Sequence, residues 1–386
     1  MNETHATKYL LSLPQEGPKN TAERTRRLLE ALDSPQKNRL VIKILGEAGK
    51  SSVAHLLAAL FSRAALPCIT VSLVPQKEPR RAIGIEDAPP SHGDFAKGVS
   101  AAWQAARICG IEAPSYEEIL LCAALWLSRE KGCRIILTEL SSSNEHSAAS
   151  ALTRPRLCLF TASSLACAER LLPLIDTAAD LVAAPQTPAV FRLLTERAAA
   201  IRCRLSFPVK NQIGEPTPAD GGLRFSYGGS DFLLSTLAQY QHGNALAVIE
   251  AYRALVRQGL SLSSEQLRDA IAVPPSPLCF RAVSLSPVWL IDAADTPLRL
   301  SALAASLDRL PRLTHDGFTL WTEPPLRDIC LEAFGSRVAS VQTFESGNIH
   351  RTLKQIKPPS GSPLVITGSA PFAGEMLDAL GARFLL

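Results

Sequence analysis

A short segment with two glycines offers the plainest chemistry in this sequence. Gly46 and Gly49 flank two residues, and Lys50, Ser51 and Ser52 follow at once. Glycines let a backbone curl so that successive N–H groups point at one anion. A lysine adds a cation for the outer phosphates of a nucleotide, and a hydroxyl at the start of the next helix is typical of Mg²⁺ coordination. The spacing therefore predicts a phosphate-binding loop.

The elements around these residues fit the same interpretation. Residues 40–45 form an apolar run typical of a buried strand, and residues 53–60 carry the apolar pattern of a helix. Strand, glycine turn and helix are the context that a phosphate-binding loop requires. The eight-residue form of the motif has a glycine five positions before Gly49, where this chain has Ile44. The alternative is an ordinary strand-to-helix turn that carries a lysine.

Length and composition exclude several classes of protein. The chain has 386 residues, 46% of them hydrophobic and 20% charged, which suits two packed domains. A net charge of +4 does not favour nucleic-acid binding. The sequence has neither a long apolar run nor a recognisable signal peptide, so we expect no membrane span and a cytoplasmic location. Nine scattered cysteines without a C-x-x-C pair indicate free thiols, mostly buried.

Short apolar strands alternate with amphipathic helices in the first part of the chain. Strands are predicted at residues 40–45, 68–74, 134–140, 157–162 and 180–184. This alternation predicts a largely parallel sheet covered on both faces, in an ATPase-like α/β domain. Residues 204–236 are rich in Gly, Pro, Ser and aromatic residues and are interpreted as a hairpin-like insertion, with a helix over residues 231–255.

A proline-rich stretch at residues 274–277 separates two predicted domains, 1–273 and 278–386. Beyond it the alternation restarts and predicts a smaller Rossmann-like α/β domain. Its predicted strands are 288–291, 317–321, 338–341 and 364–367, and its predicted helices are 298–310, 326–334, 348–356 and 373–380. No G-x-G-x-x-G motif is present there, so no dinucleotide is predicted.

Taken together, the chain resembles the folylpolyglutamate synthase and dihydrofolate synthase family, within the Mur ligases. Residues 46–52 are similar to the family's G-T-N-G-K-G-S loop, and residues 240–245 to its H-Q-x-x-N-A. Residues 292–297 stand where the family has D-G-A-H-N-P. Further likenesses lie at residues 9–17, 32–36 and 364–369, in the family's order.

The resemblance implies an ATP-dependent carboxylate–amine ligase that joins glutamate to a reduced folate through an acyl phosphate. ATP, a reduced folate and glutamate are the implied partners, and ATP and Mg²⁺ the implied cofactors. The implied metal ligands are Ser52 and Glu139. The implied nucleotide-binding residues are Gly46, Gly49, Lys50, Ser51, Ser52, Gln241, Asn244 and Asp292.

Some of these residues have a plain structural interpretation as well. Glu139 is also an ordinary carboxylate at the end of a strand, and Gln241 with Asn244 is a polar pair of the kind that often opens a helix. Ser115 and Glu118 match the family's T-x-x-E, but their spacing is equally that of a helix capping box. Both interpretations stay open for these residues.

Other family positions carry different residues in this chain. Glu145 and Ser147 stand where the family has an arginine and an aspartate, and Cys167 stands where its second metal-binding histidine lies. A thiol is a poor ligand for Mg²⁺, which prefers oxygen. No lysine occurs between Lys131 and Lys210 to match the carbamylated lysine that the family uses at that metal.

The D-G-A-H-N-P position differs too. Asp295 replaces its histidine and Thr296 its asparagine, and a carboxylate near a γ-phosphate would repel it unless a metal intervened. The residues that differ from the family's are concentrated at the positions that, in the family, contact the second metal and the transferred phosphate. One hypothesis is a ligase of this type with impaired activity, and the alternative is a non-catalytic nucleotide-binding pseudoenzyme with a regulatory or partner-binding role. An ATPase or kinase unrelated to folate would not account for the second α/β domain.

Overall fold

The structure of the chain, a computed structural model, describes residues 1–15, 17–74, 76, 78–86, 88–140, 146–175, 180–276, 278–310, 317–353 and 361–384. The chain divides into two compact units. The first comprises Met1–Glu215, Phe225–Leu233 and Gly243–Val273, and the second comprises Pro216–Arg224, Leu234–His242 and Pro274–Leu386. Both units are built on a mainly parallel sheet, so the predicted α/β class is confirmed.

A seven-stranded sheet with the order β3-β2-β4-β1-β5-β6-β7 forms the centre of the first unit. Its strands are β1 (Leu40–Leu45), β2 (Cys68–Ser72), β3 (Ile83–Ile85), β4 (Ile135–Glu139), β5 (Leu157–Phe160), β6 (Asp180–Ala183) and β7 (Arg204–Ser206). Neighbouring strands are parallel except for the edge strand β3, which runs antiparallel to β2. The central strands are buried on both faces, which explains their continuous apolar runs.

Among the described residues, seven α-helices accompany the strands of this sheet, and two more, α8 and α9, follow the insertion. They are α1 (Glu3–Ser12), α2 (Thr21–Ala31), α3 (Lys50–Arg63), α4 (His92–Ile108), α5 (Tyr116–Glu130), α6 (Leu165–Leu171), α7 (Pro188–Ala200), α8 (Tyr240–Arg257) and α9 (Ser264–Ile271). One large apolar core joins buried residues of α1, α2, α4 and α5 to the sheet. Burial of this apolar face stabilises the helices more than their propensities do.

The predicted insertion is a small three-stranded sheet with the order β10-β9-β8. Its strands are β8 (Thr217–Ala219), β9 (Gly222–Tyr227) and β10 (Ser230–Leu234). The helix predicted over residues 231–255 is therefore wrong at its start, because Gly228 and Gly229 form a turn with positive φ that sends β10 back along β9. The predicted insertion also begins one strand too early, since β7 belongs to the large sheet.

The second unit has a five-stranded sheet with the order β11-β12-β15-β13-β14. Its elements are β11 (Arg281–Leu285), β12 (Val288–Asp292), α10 (Pro297–Leu307), β13 (Phe318–Thr322), α11 (Arg327–Phe334), β14 (Val338–Thr343), α12 (Ile349–Thr352), β15 (Leu364–Thr367) and α13 (Ala370–Phe384). The four predicted strands are present and parallel, but the antiparallel edge strand β11 was not predicted. The last strand, β15, lies between β12 and β13, unlike the usual dinucleotide-binding order.

Side chains of this second sheet alternate between two apolar cores. Leu290 and Val365 face α10 and α11, whereas Trp289 and Ile366 face α12 and α13. Such alternation is the two-residue period of a strand covered on both faces. The sheet therefore carries helices on opposite sides, as a doubly wound domain requires.

Two further expectations concern the chain as a whole. All nine cysteines are present as thiols, and six of them are buried, as predicted for apolar side chains. Across the part of the chain that the structure describes, no helix combines the length and the apolar character that crossing a bilayer demands.

Candidate functional site

The predicted phosphate loop, residues 46–52, lies at the carboxyl edge of the first sheet. Strand β1 ends at Leu45 and runs parallel between β4 and β5. Parallel neighbours end at the same edge, so Glu139 at the end of β4 and the residues after β5 flank the loop. Helix α3 begins at Lys50, and the backbone N–H groups of its first turn have no partner within the helix.

Both glycines of the loop adopt backbone conformations that other residues avoid. Gly46 has φ +125° and Gly49 has φ +92°. A Cβ at Gly46 would overlap with the side chain of Thr161, and a Cβ at Gly49 would overlap with the side-chain amide of Asn244. Glycine is therefore required at both positions for two reasons: the backbone has a positive φ, and a neighbouring side chain occupies the space of a Cβ.

The Lys50 side chain lies inside this curl. Its ammonium donates hydrogen bonds of 2.7 Å to the carbonyl oxygen of Gly46 and 3.3 Å to that of Glu47. The residue is only 5% exposed, so its charge is held within the loop rather than extended into solvent. A cation at this place, beside the start of a helix, suits the phosphates of a nucleotide.

A hydroxyl of the loop contacts the predicted metal ligand Glu139. Ser51 donates a hydrogen bond of 2.7 Å to Oε2 of Glu139, whose side chain is buried. Ser52, the hydroxyl assigned to the metal by resemblance, is buried in the same first turn of α3. Hydroxyl and carboxylate oxygens are the ligands that Mg²⁺ prefers, so the donor set fits one such ion.

Glu47 is a functional candidate that sequence reasoning missed. Its Oε2 accepts hydrogen bonds from the backbone N–H of Ser164 at 3.1 Å and from its hydroxyl at 2.6 Å. The N–H groups of Glu47 and Ala48 also donate to the carbonyl oxygen of Ala162, at 3.1 and 3.0 Å. The loop is thus attached to the turn after β5, a contact that no sequence pattern signals.

Two residues of the segment 240–245, Gln241 and Asn244, are predicted to bind the nucleotide. Asn244 lies against Gly49, so the structure brings it to the loop. Gln241 is buried in the first turn of the same helix, and its N–H donates to the carbonyl oxygen of Ala238. The structure therefore brings Asn244 of the predicted pair to the phosphate loop.

Asp292 ends β12 in the second unit and is bonded within that unit. Its Oδ2 accepts hydrogen bonds from the Tyr240 hydroxyl and, at 2.8 Å, from the N–H of Phe280. Burial raises the pKa of Asp292 to about 6, although both hydrogen bonds favour its ionised form. The same burial, with Asp292 beside it, raises the pKa of Tyr240 well above its usual value.

Ser115 and Glu118 form a capping box at the start of α5. The Ser115 hydroxyl accepts from the Glu118 N–H at 3.3 Å, and Glu118 Oε2 accepts from the Ser115 N–H at 2.7 Å. Arg24 adds an ion pair of 3.1 Å to the fully buried Glu118 carboxylate. Burial raises the pKa of Glu118. The cap accounts for both residues.

Ser147, Asp295 and Cys167 differ from the residues of the family that the sequence resembles, and the structure shows the surroundings of each. Ser147 donates to Oε2 of Glu117 at 2.9 Å, and both residues are buried. Asp295 forms an ion pair of 2.8 Å with Arg299, one helical turn further on, which offsets its charge. Cys167 is buried in α6. Glu145 and the rest of residues 141–145 lie outside the described residues.

Within the described ranges, no group of three His, Cys, Asp or Glu side chains converges as a metal centre would require. At the loop, the structure brings together the Ser51 hydroxyl and the Glu139 carboxylate, two oxygen groups that can bind a cation.

Comparison with known proteins gives a likeness in structure rather than in sequence. No protein-family profile matches the chain, and no curated protein matches it by sequence. The apo form of the Lactobacillus casei folylpolyglutamate synthase superposes with a TM-score of 0.84 at 18% identity, over 98% of this chain and 100% of that one. A synthase complex with AMPPCP and folate gives 0.85 at 18% identity, with the same coverage.

A Mycobacterium tuberculosis synthase complexed with ADP and AMPPCP gives a TM-score of 0.77 at 20% identity, over 93% of this chain and 95% of that one. Likeness at this level of identity speaks to architecture and leaves the activity to be argued from the site. Over nearly its whole length, the chain has the folylpolyglutamate synthase fold.

Proposed function

We propose that this chain binds ATP with Mg²⁺ at the phosphate loop and is an ATP-dependent carboxylate–amine ligase of the folylpolyglutamate synthase type with strongly reduced turnover. Its substrates would be a reduced folate and glutamate, joined through an acyl phosphate, and its two domains would be residues 1–273 and 278–386. The observation that carries the proposal is the placement of the Lys50 ammonium inside a loop whose two glycines both have positive φ.

Several contacts support nucleotide binding at this loop. The cation of Lys50, the first turn of α3 and the adjacent Asn244 surround one place at the edge of the sheet. Ser51 and Glu139 would hold Mg²⁺, which supplies charge neutralisation for phosphates when bound. A neighbour of the same fold is a complex with AMPPCP and folate, which supports the nucleotide and folate classes.

The proposal of reduced turnover rests on the chemistry at three positions. Cys167 offers a buried thiol where oxygen or nitrogen would be wanted for a metal, and Ser147 is committed to Glu117. Asp295 brings a carboxylate to a place where the family has a histidine. A two-metal clamp is worth several kcal/mol of barrier, and ~1.4 kcal/mol is a factor of ten in rate, so its loss would nearly silence the reaction.

A second candidate is a nucleotide-binding protein without ligase activity that acts on a partner. The feature that favours it is the attachment of the loop to the turn after β5. Two loop N–H groups, of Glu47 and Ala48, are already used by the carbonyl oxygen of Ala162. Such a loop would hold a nucleotide rigidly. Because these two N–H groups are already bonded, fewer backbone donors remain to stabilise the charge that develops on a phosphate during transfer.

Calorimetric titration with ATP and Mg²⁺, followed by an assay for ADP release with a reduced folate and glutamate, separates the candidates. Glutamate-dependent ADP release supports the ligase, and binding without release supports the non-catalytic protein. Absence of ATP binding in the wild type contradicts both. Cys167→His alone is expected not to restore turnover, because a single ligand does not rebuild a metal site.

A further inference from the structure

A buried hydroxyl without a partner lies beside the phosphate loop. Ser163 is 5% exposed, and its Oγ has no hydrogen-bond partner among the residues that the structure describes. A hydroxyl buried in this way costs about 1–3 kcal/mol compared with one that is bonded. Such groups are uncommon in folded proteins, and a bound ligand or an ordered water is one explanation for them.

The residues on both sides of Ser163 are bonded to the loop. Ala162 accepts hydrogen bonds from two loop N–H groups and forms an isolated antiparallel bridge with Ala48. Ser164 gives both its N–H and its hydroxyl to Glu47. Ser163 is therefore fixed in a turn that is attached to the loop before and after it.

We propose that Ser163 is a ligand-contacting residue of the nucleotide site, whose hydroxyl donates a hydrogen bond to an anionic oxygen of the phosphate chain. The inference rests on the proposed nucleotide binding. Residues 161–164 then form a second wall of the phosphate site, and the Glu47–Ser164 hydrogen bonds hold that wall in place. A hydroxyl that donates to a charged oxygen makes one of the stronger hydrogen bonds in proteins.

The proposal is tested with Ser163→Ala, by calorimetric titration with AMPPCP and Mg²⁺ and by thermal unfolding without ligand. We expect the Kd to rise about tenfold or more, because a hydrogen bond to a charged group is lost. The unfolding temperature should stay the same or rise, since the lost hydroxyl has no partner among the described residues. Ser163→Thr keeps the hydroxyl and should retain most of the affinity.

Ser128→Ala is the matched control, because Ser128 is fully buried in the same unit and donates at 2.7 Å to the carbonyl oxygen of Leu125. It should lower the unfolding temperature and leave the Kd unchanged. An unchanged Kd in Ser163→Ala overturns the inference but not the proposed nucleotide binding, whereas a wild type that does not bind AMPPCP overturns both. Weaker binding accompanied by a lower unfolding temperature would also overturn it, because Ser163 would then support the fold.

Discussion

The hydroxyl of Ser51 and the carboxylate of Glu139 meet across two different elements, 2.7 Å apart. One belongs to the first turn of α3 and the other to the end of β4. Neighbouring oxygens around an octahedral Mg²⁺ ion lie about 2.9 Å apart, since each Mg–O bond is about 2.0–2.1 Å. The 2.7 Å distance is that of an ordinary hydrogen bond, and it places two oxygens near enough to bind the same ion. The sequence resemblance alone points to Ser52 instead.

Glu139→Gln should therefore weaken AMPPCP binding only when Mg²⁺ is present. We expect about a tenfold rise in Kd with Mg²⁺, and a smaller rise for Ser51→Ala, because an amide oxygen and a missing hydroxyl both weaken the coordination of a hard cation. Calorimetry with and without EDTA checks this. Equal losses in both conditions would show that the pair supports the fold rather than a metal, and a larger effect of Ser52→Ala would return the metal to Ser52.

Lys50→Ala should abolish measurable ATP binding. The ammonium is held inside the loop by the carbonyl oxygens of Gly46 and Glu47, and residues 46–52 contain no other basic side chain to supply a positive charge at that point. Calorimetric titration of the variant with ATP and Mg²⁺ measures the effect. Lys210→Ala, which removes an exposed lysine of the same unit, is the control for overall charge. Unchanged affinity of the Lys50→Ala variant for ATP would contradict the assignment of residues 46–52 as a phosphate-binding loop.

Gly49→Ala should disturb the loop in two separable ways. The residue has φ +92°, which costs a side-chain-bearing residue on the order of 1 kcal/mol, and its Cβ would also overlap with the Asn244 amide. We expect lower stability and loss of AMPPCP binding, measured by urea unfolding and calorimetry. Adding Asn244→Ala should recover part of the stability by removing the overlap. Recovery of none of it would mean that the two residues do not touch.

Gly132→Ala provides a comparison for the backbone effect alone. Gly132 has φ +67°, and a Cβ there would meet no neighbouring atom. Its variant should therefore lose stability from the positive φ but keep its affinity for AMPPCP. The difference between the two variants isolates what the close approach of Asn244 contributes.

The parallel sheets can be predicted from sequence because their strands are buried on both faces. Such strands have continuous apolar runs, as in residues 40–45, and the predicted limits of that strand match the structure. The edge strand β11 is largely exposed and has no such run, so nothing in its sequence marks it. The pattern of strand β10 instead predicts the start of a helix, because its pairing depends on a glycine turn and on a neighbouring strand.

The site divides in a similar way between local and distant contacts. Lys50 and the two glycines can be found from sequence because their roles follow from spacing within one short segment. Glu47, Ser163 and Ser164 escape sequence reasoning because their contacts join residues more than a hundred positions apart. Two parallel strands bring these segments to one sheet edge, and only the strand order reveals it.

Asp292 should make the second unit less stable as the pH rises from about 4 to 7. Burial raises its folded-state pKa to about 6, from an ordinary value of 3.8, so between these values the folded protein binds more protons than the unfolded chain. The stability from this group is then fully present below about pH 4 and is lost as the pH passes about 6, by roughly 2–3 kcal/mol. Urea unfolding monitored by hydrogen exchange of the peptide that contains β12, repeated between pH 4 and 7, measures this loss in the free energy of unfolding.

Asp292→Asn should flatten this pH dependence, because the amide does not titrate and its oxygen can still accept from the Tyr240 hydroxyl and the Phe280 N–H. Asp328→Asn is the matched control, since that carboxylate is in the same unit with its side chain 89% exposed, and it should leave the dependence as in the wild type. If the Asp292→Asn variant still lost stability over the same pH range, other groups would be responsible. The buried carboxylate would then titrate near its ordinary pKa.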